Sequence, residues 1–512
     1  MKDTFYISTA IAYVNGSPHI GHALEFVEAD AIARYNRLIG KDVYYLTGTD
    51  EHGSKIFDTA EKEGIDVQEM VDRNAQKFKN MMDLYQVSYD HFVRTSDQEN
   101  HWPGVQKIWN KMLEKGDIYK GEYKGLYCVG CEEYKAEKDL EEKRCQNHPD
   151  REIEEVEQTN YFFKLSKYSD QIKQLITSKE VHIMPDYRAN EIIAMCERGL
   201  EDVSFSRPKE QLSWGVPVPN DPDQVMYVWC DALSNYITGV EYAKEGSKWQ
   251  KYWPCDVHVI GKDILRFHAG IWIGMLLSAD LPLPKSELIH GFILDGEGNK
   301  MSKSLGNVID PMEVLEKYDI SFIRYFLLTL MNTGDDGNFG YEVFEAKVNA
   351  DLANNLGNFS NRVLSMAERY LDGDVPSQKQ EIPSELEDFW QRYHAAFTAF
   401  DHTGAAEVMI QMVNYGNKLI ADTKPWEIAK DDNRTEELYQ VLRICLKILL
   451  HVGFMLEPFC PDKGRQILDC FGLADQHNAE GLVKLQNNTL LDEVKRVEKG
   501  EILFERIEQE KT

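Results

Sequence analysis

The stretch TFYISTAIAYVNGSPHIGHALEFVEADAIARYNRLIGKDVYYLTGT, residues 4–49, decides the fold. Thr4–Ile11 is rich in β-branched and aromatic residues and reads as a buried strand. Asn15-Gly16-Ser17 makes a turn. Ser17 then suits a helix N-cap and Pro18 the first helical position, where a missing N–H costs nothing. Ile20, Leu24, Val27, Ala31, Tyr35 and Leu38 recur at spacings of three and four, so one helix face is apolar. Gly40 stands where such a helix stops, and Asp42–Thr49 reads as a second strand. Strand, helix and strand in this compass form a βαβ unit, which predicts a parallel sheet with a right-handed crossover.

Outward from this unit, Asp256–Gly261 and Leu288–Leu294 read as two later strands of the same sheet. Residues 116–225 differ in texture. They hold Cys128, Cys131, Cys145 and Cys196, many charges and a Pro-rich patch at Trp214–Pro222, and they read as an insertion. Beyond about residue 345 the pattern is helical, with apolar or amphipathic stretches at Ala346–Tyr370, Ser384–Phe400, Gly404–Thr423, Thr435–Met455 and Asp462–Asp469. Ile502, Leu503, Phe504 and Ile507 could dock back on a core. The 512 residues carry a net charge of −29, which argues against a general DNA coater or a membrane-surface protein. No run of apolar residues reaches membrane-spanning length, so no transmembrane helix is expected. The N-terminus lacks the parts of a secretory signal, and the reading is cytosolic. In a reducing compartment close-spaced cysteines point to metal rather than to disulfides.

Three motifs carry chemistry. Pro18-His19-Ile20-Gly21-His22 lies at a helix start just after a strand. Free N–H groups and the positive dipole end suit phosphate there, two imidazoles at i, i+3 share a face, and Gly21 allows close approach. Lys300-Met301-Ser302-Lys303-Ser304 follows the glycine-bearing turn Asp295-Gly296-Glu297-Gly298, and its two ammonium groups can spread the charge of a polyphosphate. Cys128-x2-Cys131-x13-Cys145-x2-His148 supplies three thiolates and an imidazole, a closed tetrahedral set suited to structural Zn2+. The other six cysteines, Cys196, Cys230, Cys255, Cys445, Cys460 and Cys470, are scattered and read as core residues.

The pairing of His19-Ile20-Gly21-His22 with Lys300-Met301-Ser302-Lys303-Ser304 resembles the two signatures of class I aminoacyl-tRNA synthetases, and from Tyr6 to about Ile507 the chain is similar to the methionyl-tRNA synthetase family. The resemblance implies an α/β fold: a Rossmann-type parallel-sheet catalytic domain in two halves (residues 1–115 and 226–290), an inserted zinc-knuckle connective domain (116–225), a stem-contact region with the lysine loop (291–345) and an α-helical bundle anticodon-binding domain (346–512). It implies ATP binding by His19, Gly21, His22, Gly261, Asp263, Lys300 and Lys303, of which His19, His22, Lys300 and Lys303 would be catalytic, with Mg2+ accompanying ATP. It places methionine against Ile11, Tyr13, Asp50, Trp229, Ala232, Tyr236, Ile264, Phe267 and His268. Asp50 would hold the ammonium group, and the aromatic and apolar side chains would hold the flexible thioether. It assigns the anticodon of tRNA(Met) to Asn358, Arg362 and Trp426; Asn354, four residues before Asn358, extends that face. It also supports the Zn2+ reading of Cys128, Cys131, Cys145 and His148.

A hydrophobic pocket separates substrates differing by one methylene by only about 1–3 kcal/mol, so synthetases for branched aliphatic amino acids carry large editing insertions. The insertion here is short and holds the knuckle, which fits an enzyme with no separate editing domain. Competing readings are a cysteine-specific class I enzyme, whose metal ligands would be spread along the chain, a non-catalytic RNA-binding relative, and a nucleotidyltransferase, which would not need the helical region. Because the chain ends near Ile507, a monomer is expected.

Overall fold

Alternation along the first two strands explains why the sheet is covered on both faces. In the computed structural model, which describes residues 3–128, 133–135, 140–141, 144–145, 153–301, 306–376 and 383–508, Thr4–Thr9 forms β1. Ala12–Tyr13 (β2), Asp42–Asp50 (β3), His91–Arg94 (β4), His182–Met184 (β5), Val257–Gly261 (β6) and Ser286–His290 (β7) complete a seven-stranded sheet. The order is β5-β7-β6-β1-β3-β2, with β4 also on β3, and every pairing is parallel. Phe5, Ile7, Val43 and Tyr45 enter one core, whereas Tyr6, Tyr44 and Leu46 enter the other. Successive side chains of a strand point to opposite faces, so a strand apolar at every position must be buried twice.

Helix α1 (Ile20–Leu38) covers the first of these faces and starts later than expected. Its N-cap is His19, not Ser17, because the His19 N–H donates to His22 Nδ1 at 3.1 Å and Ser17-Pro18 stays outside the helix. The helix ends as the glycine foretold: Gly40 has φ +94° and its N–H returns to the Arg37 carbonyl at 3.0 Å. The second face is covered by α2 (Trp102–Glu114) and α3 (Val228–Leu233), together with a π-helical turn at Phe267–Trp272.

The segment expected to be an insertion is mostly antiparallel, built around Ile118–Cys128 and Glu154–Phe163. Within it, however, His182–Met184 returns to the main sheet as edge strand β5. Leu288–Leu294, expected as one strand, is two: β7 stops at His290, and Ile293–Leu294 pairs instead with Gly337–Asn338.

After α4 (Ile320–Thr329) and the strand Gly337–Asn338, the described residues are mainly helical, with α5 (Asn358–Leu371), α6 (Ser384–Thr398), α7 (His402–Thr423), α8 (Thr435–Met455) and α9 (Pro461–Cys470). The bundle shares a core with α1: Tyr35 stacks on Phe397 at 4.4 Å, and its hydroxyl meets His394 Nδ1 at 2.9 Å. One helix, Asp432–Met455, is by length and composition alone long and apolar enough to cross a membrane, but 83% of its apolar window is buried inside the molecule. Arg443 and Lys447 interrupt the apolar run and are themselves buried. Leu503 and Phe504 dock as expected, Phe504 against Phe322 at 5.6 Å, whereas Ile502 is 67% exposed. Of the six scattered cysteines, five are buried and Cys470 partly so.

Candidate active site

The carboxyl ends of β1, β3, β6 and β7 open onto one cavity of about 520 Å³, the place where open parallel sheets bind ligands. His19, Gly21 and His22 line it from the start of α1. The two imidazoles stack at 3.7 Å, and His22 meets the edge of Phe78 at 5.0 Å. A Cβ on Gly21 would stand 3.1 Å from the His19 ring, so a side chain there would press on the pair. Lys300 lines the same cavity from the middle of the sequence, its Nζ 4.5 Å from the Phe292 ring. Its loop is held at the base: Asp295 accepts from the Asn299 N–H at 2.8 Å and from Asn307 at 2.9 Å, and Gly298 turns the chain at φ +84°. Lys303 lies outside the described residues.

Ile11, Tyr13, Asp50, Trp229, Ala232, Tyr236, Ile264 and His268 line the cavity together with Gly261 and Asp263. Phe267 stands behind, stacked on Trp229 at 3.6 Å and 12°. The Tyr236 hydroxyl lies 2.7 Å from His268 Nε2, and His268 Nδ1 lies 3.0 Å from the Ile264 carbonyl. A carbonyl only accepts, so Nδ1 carries the proton and Nε2 accepts from the tyrosine. Burial lowers His268 to about 4, which keeps the ring neutral at physiological pH. A Cβ on Gly261 would come within 2.9 Å of the Asp263 carboxylate, so glycine permits the close approach of these two residues.

Sequence reasoning missed four polar groups in the wall: Glu25, Lys55, Asn235 and His290. His290 Nε2 lies 2.9 Å from Glu25, and although burial opposes it, this ion pair raises His290 to about 9. Glu25 follows His22 by three residues and so shares its helix face, a signal present in the sequence; His290 had none until β7 ended there.

Elsewhere, Asn354 belongs to a π-helical segment, Asn349–Gly357, which runs into α5. Asn358 donates back to the Asn354 carbonyl at 2.8 Å. Arg362 donates to Asn417 on α7 at 3.2 Å, and Asn417 and Asn414 in turn bond Asn355 at 3.0 and 2.9 Å. This amide cluster joins two helices and could not be seen from α5 alone. Trp426, in the short helix Pro425–Ile428, is 40% exposed. Of the four metal-type residues, Cys128 ends its strand and Cys145 lies on the hairpin strand Arg144–Cys145, both buried. Cys131 and His148 lie outside the described residues. Two buried thiols in a strongly charged segment are the donor chemistry that zinc takes.

Family models match the chain almost throughout. That of the class I (M) tRNA synthetases covers residues 5–153 and 137–364, and that of the anticodon binding domain of methionyl tRNA ligase covers 371–512. The methionine–tRNA ligase of Caldanaerobacter subterraneus subsp. tengcongensis is 42% identical over all of this chain and 80% of its own length. That of Brucella suis is 42% identical over 91% of this chain and 92% of its own. The structure of Mycobacterium tuberculosis methionyl-tRNA synthetase in complex with methionyl-adenylate superposes with a TM-score of 0.92 at 35% identity, covering 98% of this chain and 100% of that one.

Proposed function

This chain belongs to the methionyl-tRNA synthetase family of class I and is a ligase that joins methionine to tRNA; on that premise we propose which of its residues do the work. Methionine lies with its ammonium on Asp50 and its thioether among Ile11, Tyr13, Trp229, Ala232, Tyr236, Ile264, Phe267 and His268. ATP lies with its ribose at Gly261 and Asp263 and its phosphates at His19, Gly21 and His22. The methionine carboxylate attacks the α-phosphorus in line; the bond to the bridging oxygen breaks and pyrophosphate leaves. Lys300 and Lys303 stabilise the charge that gathers on that leaving group, and Mg2+, which accompanies ATP in this family, shares the same neutralisation. A ribose hydroxyl of the terminal adenosine of tRNA(Met), by family analogy the 2′-OH, then attacks the methionyl carbonyl and AMP leaves. Asn354, Asn358, Arg362 and Trp426 contact the anticodon by edge hydrogen bonds and stacking.

The observation that carries this reading is the convergence of His19 and His22 with Lys300, residues far apart in sequence, on one cavity that also holds Asp50 and Trp229. We assign Cys128, Cys131, Cys145 and His148 to one structural Zn2+, which would brace the inserted segment. In our reading the chain acts as a monomer, in the cytoplasm beside its tRNA. The domain division at residues 115, 225, 290 and 345 follows the same reading. ATP–pyrophosphate exchange measured with each of the twenty amino acids tests it. Exchange with methionine alone is expected; exchange driven better by another amino acid would overturn it.

A further inference from the structure

Behind the methionine pocket lies a buried polar chain that the proposed mechanism does not use. Asp231, on α3 between Trp229 and Ala232, is fully buried and holds two histidines from distant segments. His52 Nδ1 donates to one carboxylate oxygen at 2.5 Å, and His101 Nε2 donates to the other at 2.7 Å. His101 Nδ1 lies 2.7 Å from the Thr238 hydroxyl, so its far side is also engaged. Both rings are 0–2% exposed, and although burial opposes it, the two imidazoles hold the Asp231 carboxyl below its ordinary range.

His52 follows Asp50 by two residues, and its N–H reaches back to the Asp50 carboxylate at 3.5 Å. The loop is tethered again at Glu51, whose carbonyl accepts from Trp214 Nε1 at 2.5 Å, and the Trp214 ring meets the edge of His52 at 5.3 Å. His52 Nε2 is buried with no hydrogen-bond partner among the described residues. An imidazole kept in an apolar surround with one nitrogen unsatisfied is held there by its other bond, here the one to Asp231. The Asp231–His52 contact therefore ties the element that carries Trp229 and Ala232 to the loop that directly follows Asp50 at the end of β3.

We propose that Asp231 is a positioning residue for methionine: through His52 it fixes the ammonium-binding Asp50 relative to the thioether slot, so that the two ends of the substrate are measured against each other. This rests on the assignment of the cavity to methionine, so wild-type methionine-dependent exchange is measured first; its failure would fall on that assignment and not on Asp231.

The test is steady-state exchange with Asp231→Asn. The KM for methionine should rise about tenfold or more while the KM for ATP stays within about twofold, since a displacement of the order of 1 Å at one contact costs up to a hundredfold. Inhibition by 4-(methylthio)butanoate, which keeps the thioether and lacks the ammonium, should be unchanged. On an Asp50→Asn background the Asp231→Asn change should add nothing further. Equal losses for methionine, ATP and the deaminated analogue, or unchanged methionine KM, would overturn the proposal. If Asp231→Asn does not fold, His101→Leu, which removes one donor and leaves the His52 bond, is read the same way: a smaller loss confined to ammonium-bearing ligands supports the proposal, and a loss shared by the analogue refutes it.

Discussion

At the residue scale the site depends on charges held at a distance from the reacting bond. Lys300 is exposed beside the Phe292 ring, so its ammonium stays hydrated until substrate arrives. A cation that acts on the leaving pyrophosphate helps the transition state more than the ground state. Lys300→Ala should therefore lower the exchange kcat by about a hundredfold or more, with the methionine KM within about twofold. Measured exchange kinetics showing the reverse, an intact kcat and a raised methionine KM, would move Lys300 out of the leaving-group role. His19 and His22 were legible in sequence as a pair at a helix start; their stacking, and the cap it creates, were not.

At the element scale, the bonds between α5 and α7 set the presentation of Arg362. Asn417 accepts from Arg362 while donating to Asn355, so the guanidinium is held at the surface by a second helix. Asn417→Ala should raise the tRNA KM in aminoacylation by about tenfold and leave pyrophosphate exchange, which needs no tRNA, at the wild-type rate. Equal tRNA KM values would show that Arg362 needs no such support. The metal reading belongs to this scale too. Purified protein should contain about one zinc per chain by elemental analysis, and Cys128→Ser together with Cys145→Ser should abolish it. Protein that retains zinc in that variant would exclude these thiols as ligands. The proposed donor set was read from cysteine spacing alone, because a metal centre is a local matter of ligand type and separation. The Asn355, Asn414 and Asn417 cluster was invisible because its members lie on two helices brought together only by packing.

At the scale of the whole molecule, α1 connects the catalytic sheet to the helical bundle through buried charge. Arg324 on α4, fully buried, donates to Asp30 at 2.6 Å and to the carbonyls of Tyr85, Pro458 and Phe459. Arg34 joins Asp30 at 2.7 Å and Glu457 at 2.8 Å. Removing one partner leaves a buried charge uncompensated, so Asp30→Asn should cost roughly 3–5 kcal/mol in denaturant unfolding. A loss below about 1 kcal/mol would mean the hub relaxes without it. Burial alone would raise the Asp30 carboxyl, but the Arg34 and Arg324 guanidiniums and the Ser88 bonds override it and hold Asp30 at about 2. Its stabilising contribution is thus complete above about pH 4 and is lost as pH falls towards 2. Glu287 behaves oppositely. Burial pushes it up to about 8, so the neutral form is the folded one, and its contribution declines as pH rises from about 4.5 through 8. The Tm advantage of Glu287→Gln over wild type should grow between pH 6 and 9; a constant difference would place Glu287 outside this titration.

The sequence by itself determined the periodic and local features: the βαβ opening, the doubly buried strands, the helical final third, the two signatures and the cysteine spacing. Each is written in residues a few positions apart, where strand and helix geometry act directly. Only the tertiary structure decided that Lys300 faces His19 and His22, that Asp231 grips His52 and His101, that β7 ends at His290 beside Glu25, and that α1 is anchored in the bundle through Asp30. These contacts join residues as many as 294 positions apart. No local periodicity encodes such pairs; they exist because the chain must bury the two faces of its sheet and pair charges such as Asp30 and Arg324 inside it.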